Sequence, residues 1–288
     1  MLVDLVKVTT RDGLTLDGIY QEPQVNAALS IAGFCLVHGT GSNFYSSSLL
    51  SEIAELILEL GCGVLRVNSR GHDGISTAVT ATGGKRQGAA YEVIDDCRHD
   101  LAAWAEWLRS RVGPRIGLIG HSMGGIKVIH AATRENSINP ACLIAISPPR
   151  LCYESFATGL QGAQFLETFN HASRLVESGQ PAALLQVQIP MPYVITAAGY
   201  IEKYGPDDRY DFLKMLNGLA CPAMITLGSK EIASNMAFQG LPDALQPLLS
   251  EQSSLKIKMI EGADHFYSGA RDPLISSIRD WLHENSGN

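Results

Sequence analysis

The chain opens on two short segments, residues 2 to 10 and 14 to 20, in which apolar and polar positions alternate around Arg11-Asp12-Gly13. A period of two puts successive side chains on opposite faces of a strand, so the pattern predicts an antiparallel hairpin closed by a glycine turn. Beyond it the periodicity changes. Ala32 to Val37 is a continuous apolar run, as expected of a strand covered on both faces, and Leu49, Leu50, Ile53, Ile57 and Leu60 then recur at helical spacing until Gly61. The sequence GVLRVNSRG predicts the next strand, and residues 91 to 112 the next helix, with Ile94, Cys97, Leu101, Trp104, Leu108 and Val112 along one face and Gly113-Pro114 as its stop. Ile116 to Ile119 reads as a strand, Ile126, Val128, Ile129 and Ala132 as the packed face of a helix, and Ala141 to Ser147 as a further strand. Strands alternating with helices predict an α/β fold: a mostly parallel sheet with helices on both faces, preceded here by the antiparallel hairpin.

The alternation breaks at Pro148-Pro149. From about residue 150 to 218 there are amphipathic helical stretches such as GAQFLETFNHASRLVE and the proline-marked QVQIPMPYVI, with no clear strand, and this predicts an inserted helical cap. The sheet pattern resumes with PAMITLGS (222 to 229), a helix near 241 to 250, the strand Leu255 to Ile260 and a last helix begun by Asp272-Pro273, with Ile275, Ile278 and Trp281 or Leu282 on its buried face. The expected organisation is therefore a core of residues 1–149 and 219–288 with a cap of residues 150–218. Residues 71 to 90, GHDGISTAVTATGGKRQGAA, read as a loop of about twenty residues. Loops beyond roughly 12 to 15 residues in a compact domain are usually functional or disordered.

Candidate chemistry collects where strands end. Gly120-His121-Ser122-Met123-Gly124 stands at a strand-to-helix turn. There, glycines two before and two after a serine leave out side chains that would collide as the chain reverses, so the hydroxyl projects. A phosphate-binding loop is excluded, because Ile126 stands where its lysine belongs, and no G-x-G-x-x-G follows a candidate strand. A serine hydroxyl needs a base, and the base needs an orienting acid. His265, in Glu261-Gly-Ala-Asp-His-Phe266 just beyond the last strand, is the expected base, and Glu231, just beyond the strand before it, the expected acid. Asp264 is a rival hampered by its adjacency to His265, and Asp95, Asp96 and Asp100 fall on a helix and read as solvated. The glycine-rich turn His38-Gly39-Thr40-Gly41 follows the Ala32 to Val37 strand. The backbone N–H of Thr40, with that of Met123, is expected to form an oxyanion hole, and His38, Gly39, Gly41 and His121 are expected to border the substrate. His72, His99, His130, His171 and His283 read as solvated or structural.

HGTG, GHSMGG and GADHF, in this order and with these gaps, resemble the alpha/beta-hydrolase fold superfamily, and RVNSRGHDGIS resembles the segment that often follows its next strand. The resemblance covers roughly residues 30 to 148 and 220 to 284. The HGTGSNFY opening and GADHFY closing further resemble the DUF1749-like group, some of whose fungal relatives are siderophore esterases. The resemblance implies Ser122 as nucleophile, His265 as base and an acid after the penultimate strand. Glu231 stands there in place of the commoner aspartate.

Composition narrows the class. A net charge of -7 opposes nucleic acid and an anionic membrane surface as partners, and no apolar stretch is long enough to span a bilayer. The start MLVDLVKVTTRDG alternates and does not read as a signal peptide. Six cysteines with no C-x-x-C and no histidine at metal-ligand spacing read as reduced core residues of a cytoplasmic protein. The expectation is a cytoplasmic serine hydrolase acting on a carboxylic ester, thioester or lactone of a small, partly apolar molecule, with no metal and no organic cofactor. A peptidase or amidase and a carbon–carbon bond hydrolase keep the same machinery. A hydrolase-fold protein that binds a small ligand without turning it over is the alternative of another class. Tyr153, Phe156, Phe165, Phe169 and Tyr193 are candidates for an acyl pocket or for packing within the cap, and Lys85 and Arg86 for an anionic substrate group or a solvated loop.

Overall fold

The alternating start of the chain pairs with itself. In the computed structural model, which describes residues 3–285, β1 (Asp4–Thr9) and β2 (Thr15–Gln21) run antiparallel in a register from Thr9↔Thr15 to Asp4↔Tyr20. Residue 2, where the first strand was expected to begin, lies outside the described residues. The apolar run gives β3 (Gly33–Val37), then α1 (Ser48–Glu59), β4 (Gly63–Val67), β5 (Ser76–Thr80), β6 (Gly83–Gln87), α2 (Cys97–Val112), β7 (Ile116–His121), α3 (Met123–Arg134) and β8 (Cys142–Ile146). Next come α4 (Tyr153–Thr158), α5 (Gly162–Glu177), β9 (Leu184–Val187), β10 (Tyr193–Thr196) and α6 (Ala197–Tyr204). The chain ends with β11 (Ala223–Gly228), α7 (Ser229–Ser234), α8 (Leu241–Glu251), β12 (Leu255–Ile260) and α9 (Arg271–Asn285).

The main sheet has the order β12-β11-β8-β7-β3-β4-β2-β5-β6, with β1 also on β2. Its six strands from β12 to β4 are parallel and those from β2 onward antiparallel, so this is the mostly parallel α/β sheet that the alternation of elements implied, and it agrees with the fold that the resemblance to alpha/beta hydrolases implied. Strand geometry sends neighbouring residues to opposite faces. Phe34 and Leu36 accordingly join α1 and α9 in one core, through Leu49, Ile53, Ile57, Leu274 and Ile278. Cys35 and Val37 join α2 and α3 in the other, through Leu101, Trp104, Leu108, Ile126 and Val128. Helix α1 starts where expected because Ser47 accepts the backbone N–H of Leu50 at 3.2 Å.

Three expectations about the elements change. The helix expected over residues 91–112 begins only at Cys97, after a 3-10 turn over Ile94–Asp96. Residues 71–90 are not a loop throughout: β5 and β6 form a hairpin that extends the sheet edge, joined to β2 through Thr15↔Val79. Its alternation was short and interrupted by glycine, so the periodicity hid it. Lys85 and Arg86 lie exposed on β6, where Arg86 reaches the Tyr91 hydroxyl at 3.3 Å. The segment from 150 to 218 is mostly helical but holds a strand pair, β9 with β10, around the proline-marked stretch. Its aromatic residues pack against one another. Phe156 and Phe165 are fully buried and meet Tyr153, Phe169, Tyr200 and Tyr204 ring to ring at 5.4 to 6.3 Å.

Asp100 is not solvated. It is fully buried beneath Arg70, which follows β4, and the two make a fork with Nη2–Oδ1 at 2.8 Å. The Arg70 backbone N–H also reaches Asp100 at 2.8 Å, and Nη1 reaches Asp12 of the hairpin turn at 2.9 Å and Asp96 at 3.0 Å. One guanidinium thus ties the hairpin turn, the end of β4 and the start of α2. The six cysteines are all free and buried. Burial pushes the Cys62 and Cys221 thiols up to about 11. Among the described residues no helix is long and apolar enough to cross a membrane.

Removing Asp100 takes from Arg70 its one fully buried partner and three of its guanidinium hydrogen bonds, leaving Asp12 and Asp96, so Asp100→Ala should cost about 3 kcal/mol in urea unfolding, whereas Asp96→Ala, at the half-exposed end of the network, should cost under about 1 kcal/mol. Acid should weaken the fold by a second route. Burial alone would raise Asp12 and Asp95, but the hydrogen bonds of Arg70 and Thr10 to the first, and of Arg98 and His130 to the second, take each from 3.8 to about 2. A carboxyl whose folded value is depressed stabilises fully above its unfolded value and loses that contribution as pH falls through the folded one. The urea midpoint should therefore fall between about pH 4 and pH 2, and fall less steeply in Asp12→Asn/Asp95→Asn.

Candidate active site

In the parallel part of the sheet the carboxyl ends of adjacent strands lie side by side, through the pairs Val37↔Gly120, His121↔Ile146, Thr226↔Ile146 and Gly228↔Ile260. That edge is where a parallel sheet gathers its functional groups. Ser122 stands there between β7 and α3 with φ 58° and ψ −125°, a left-handed conformation that costs about 1–3 kcal/mol for a side chain other than glycine's. The surroundings enforce it. A Cβ at Gly120 would lie 2.1 Å from the Gly124 carbonyl oxygen, and one at Gly124 would lie 2.2 Å from that of Val37. The Ser122 N–H donates to the Ile146 carbonyl at 2.8 Å, and its own carbonyl accepts from Gly125 at 2.9 Å. Three of the six described non-glycine residues at positive φ, Ser122, Ser147 and Tyr267, belong to this site, so backbone strain gathers where side chains are aimed.

His265 follows β12 and Glu231 follows β11, and the two meet: His265 Nδ1 donates to Glu231 Oε2 at 2.8 Å. Glu231 is 3 % exposed, so its charge requires further donors. The backbone N–H of Gly228 supplies one to Oε1 at 2.7 Å and the Ser147 hydroxyl another at 2.5 Å. Because Ser147 donates to the carboxylate, it accepts from the Tyr267 hydroxyl (2.9 Å), which in turn accepts from Thr226 (2.8 Å). Burial, with Glu231 close by, pushes Tyr267 up, so its phenol keeps the proton that this order needs. Ser147, Tyr267 and Thr226 were not singled out in the sequence, although Ser147 directly follows a strand. Asp264 faces its own turn, accepting the N–H groups of Phe266 and Ser268 at 2.9 Å each. Asp95 pairs with Arg98 and His130.

The elbow and the histidine loop are joined through His121. Its Nε2 donates to the His265 carbonyl at 2.9 Å, and its ring lies 4.9 Å from that of His265 and 5.7 Å from that of Phe266. Burial, and then the neighbouring His265, push His121 down to about 3, so it is neutral. Among the described residues no hydrogen bond joins Ser122 Oγ to His265. Serine–histidine hydrogen bonds are often loose in free enzymes and tighten when substrate arrives.

The HGTG turn lies against the elbow. A Cβ at Gly39 would be 2.9 Å from Ser122 Cβ and 3.3 Å from its Oγ. His38 is 1 % exposed; its Nδ1 donates to the Gly39 carbonyl at 2.8 Å and its Nε2 accepts the Ser69 N–H at 3.2 Å. Burial, with Lys127 close by, pushes it down to about 3. His38 and His121, expected to border the substrate, are buried and engaged with backbone, so they support the site from behind. Thr40 is half-buried, Gly41 is exposed and Met123 is buried at the start of α3. Among the described residues no protein acceptor takes the backbone N–H of Thr40 or of Met123, which leaves both as donors beside Ser122.

The remaining histidines lie elsewhere: His72, His99 and His130 pair with Asp73, Arg11 and Asp95, and His171 and His283 are exposed. Cys152, Asp208 and Asp211 bring ligand atoms within 4.8 Å of one another, but Lys214 already pairs with Asp208 and Arg150 with Asp211. A cleft of about 780 Å³ lined by Tyr20, Glu22, Val25 and Glu59 sits toward the amino ends of the parallel strands, away from Ser122, and its acidic rim offers no base–nucleophile pair.

Solved structures with the same chain path extend over nearly the whole molecule. An alpha/beta hydrolase, GrgF, from Penicillium sp. sh18 is 17% identical with a TM-score of 0.71, covering 99% of each chain. Est1E from Butyrivibrio proteoclasticus, solved with ferulic acid bound, is 17% identical with a TM-score of 0.69, covering 96% of this chain and 98% of its own. The Pyrococcus furiosus esterase PF2001 is 17% identical with a TM-score of 0.64, covering 99% and 92%. No curated protein matches the sequence. The sequence model of the alpha/beta hydrolase family matches residues 36–275, from the end of β3 through the elbow, Glu231 and His265 into α9, and the chain belongs to that family.

Proposed function

We propose that the chain is a serine hydrolase that cleaves a carboxylic ester of a small, partly apolar molecule through an acyl-enzyme on Ser122. The observation that carries this reading is the 2.8 Å bond from His265 Nδ1 to a buried Glu231, beside a serine held at a strained elbow. With Nδ1–H committed to Glu231, the Nε2 of a neutral His265 is the nitrogen left to take a proton. Ser122 Oγ attacks the ester carbonyl as its proton passes to His265 Nε2. The carbonyl oxygen gathers negative charge, which the N–H groups of Thr40 and Met123 stabilise, such donors being worth about 3–4 kcal/mol each. His265 then returns the proton to the departing alcohol. Water, deprotonated by His265, attacks the acyl group and releases the acid and Ser122. No step calls on a metal or an organic cofactor.

In this reading residues 150–218 form a cap over the site, and the esterases among the structural relatives favour an ester substrate over the other bonds that the same groups can break. Apolar surface beside the base, in the exposed Phe266 ring 5.2 Å from His265, supports a partly apolar substrate.

A fluorophosphonate probe should label the wild-type protein on Ser122, located by mass spectrometry, and should not label Ser122→Ala. A folded wild type that takes no label would instead favour a ligand-binding protein. Glu231→Gln keeps the size of the acid but misorients the base, and kcat for a p-nitrophenyl ester should fall by up to about ten-thousand-fold. Gly39→Ala pushes a methyl group against Ser122 and should lower kcat about a hundredfold, the scale of a misplacement of about 1 Å.

A further inference from the structure

Behind the HGTG turn lies a buried ion pair that the proposed mechanism does not use. Lys127, on α3 one turn beyond the elbow, and Glu92, just before α2, are both inaccessible to solvent, with Lys127 Nζ 2.5 Å from Glu92 Oε1. A carbon atom at Gly71 would collide with the Glu92 carboxylate, so the acid is held closely by the backbone that follows β4. Burying such a pair is expensive in solvation and gives little net stability, so its retention calls for another explanation.

The pair reaches the HGTG turn through Ser69 and His38. Lys127 Nζ donates to Ser69 Oγ at 2.9 Å. The Ser69 backbone N–H donates to His38 Nε2 at 3.2 Å, which requires the tautomer with hydrogen on Nδ1. His38 Nδ1 then donates to the Gly39 carbonyl at 2.8 Å, and the Ser42 N–H reaches the same oxygen at 3.3 Å. That carbonyl shares a planar trans peptide with the N–H of Thr40, which points the opposite way. Whatever grips the oxygen therefore sets the aim of the N–H, and a donor on the oxygen strengthens the N–H as a donor in turn.

We propose that His38, held in one tautomer by Ser69 and the buried Lys127–Glu92 pair, is a positioning residue that aims the Gly39–Thr40 peptide at the oxyanion of the reaction. It rests on the hydrolase reading above and deepens it. Burial first, and then the ammonium of Lys127, outweigh the opposing Glu92 carboxylate in keeping a second proton off the enclosed His38 ring, so Nε2 stays an acceptor and Nδ1 the donor to Gly39. Lys127 thereby links helix α3, which carries the Met123 donor, to the loop that carries the Thr40 donor, and the two N–H groups move as one unit.

The test compares four variants with the wild type by kcat and KM for a p-nitrophenyl ester and by Ki for a trifluoromethyl ketone, which forms a tetrahedral oxyanion adduct with an activated serine. His38→Leu removes the grip on Gly39. It should lower kcat by about 10- to 100-fold with KM within about threefold, and raise Ki in parallel, below the 10²–10³ range for outright loss of an oxyanion donor. His38→Asn keeps an N–H near the position of Nδ1 and should recover most of the loss. Ser69→Ala breaks the link to Lys127 while leaving the ion pair intact, and should lower kcat by about threefold to tenfold at unchanged KM. The double variant Lys127→Met/Glu92→Gln removes the pair, and with it the carboxylate that faces the buried Lys203, and its kcat should behave like that of Ser69→Ala. Ser69→Ala, the smallest change, keeps the inference testable should the double variant not fold. Wild-type labelling on Ser122 with unchanged kcat and Ki in His38→Leu, or equal losses in His38→Leu and His38→Asn, overturns this inference alone. A wild type that neither turns over the ester nor takes the fluorophosphonate label overturns it together with the hydrolase reading.

Discussion

Between the end of β3 and the start of α3 two backbones pass so closely that a methyl group on Gly124 would come within 2.2 Å of the Val37 carbonyl oxygen. The serine side of the candidate site depends on that approach. It sets the HGTG turn against the serine, with Gly39 and Ser122 in contact, and it holds Ser122 in its left-handed conformation. A strand feeding a helix normally has room to curve. Here it reverses within one residue, which only small neighbours allow, and the sheet on either side supplies the packing that keeps the strained residue in place.

The second organising feature is how the molecule buries charge. Glu231 is held by the N–H of Gly228, the Ser147 hydroxyl and His265 Nδ1, with Tyr267 and Thr226 behind Ser147. Each donor satisfies a lone pair that would otherwise be desolvated, so the buried carboxyl group of Glu231 stays fully hydrogen-bonded beside His265. Arg70 does the reverse with three aspartates around one cation, and its role is architectural. The same physics thus serves two ends at the same edge of the sheet: one network fixes the direction of a ring, the other fixes the hairpin turn and α2 to the sheet. Stability and chemistry are not separable there, because the strands that end in functional groups are the ones these networks hold in register.

The elements with long, clean periodicity were legible in the sequence. The hairpin, the parallel strands and helices α1, α3 and α9 fall where alternation and helical spacing put them, because burial on one face imposes that spacing. Ser122, His265 and Glu231 were legible for a related reason: a polar residue directly after an apolar strand stands at the carboxyl edge of the sheet wherever the strand itself goes. What misled was exposure. The β5–β6 hairpin has few buried positions, so residues 76 to 87 carry no strong period and read as loop. The β9–β10 pair is four residues per strand and is broken by prolines, too short for a pattern to stand out. Asp100 read as solvated because a charge on a helix usually is, and nothing in its neighbourhood along the chain announces Arg70 thirty residues away.

By itself the sequence determined the order of the elements, the elbow and the set of residues delivered to one edge of the sheet, since hydrophobic spacing and the room left by glycines are local properties of the chain. Only the tertiary structure decided how those residues are connected. Glu231 and His265 are 34 positions apart, Ser147 and Glu231 are 84, and His121 and the His265 carbonyl are 144. Such pairings depend on hydrogen-bond directions set after the strands have aligned. The same holds for the roles of His38 and His121: each follows or ends a strand in the sequence and looks open to a substrate, yet packing turns both rings inward to hold backbone, because a buried imidazole must find partners for its polar nitrogens.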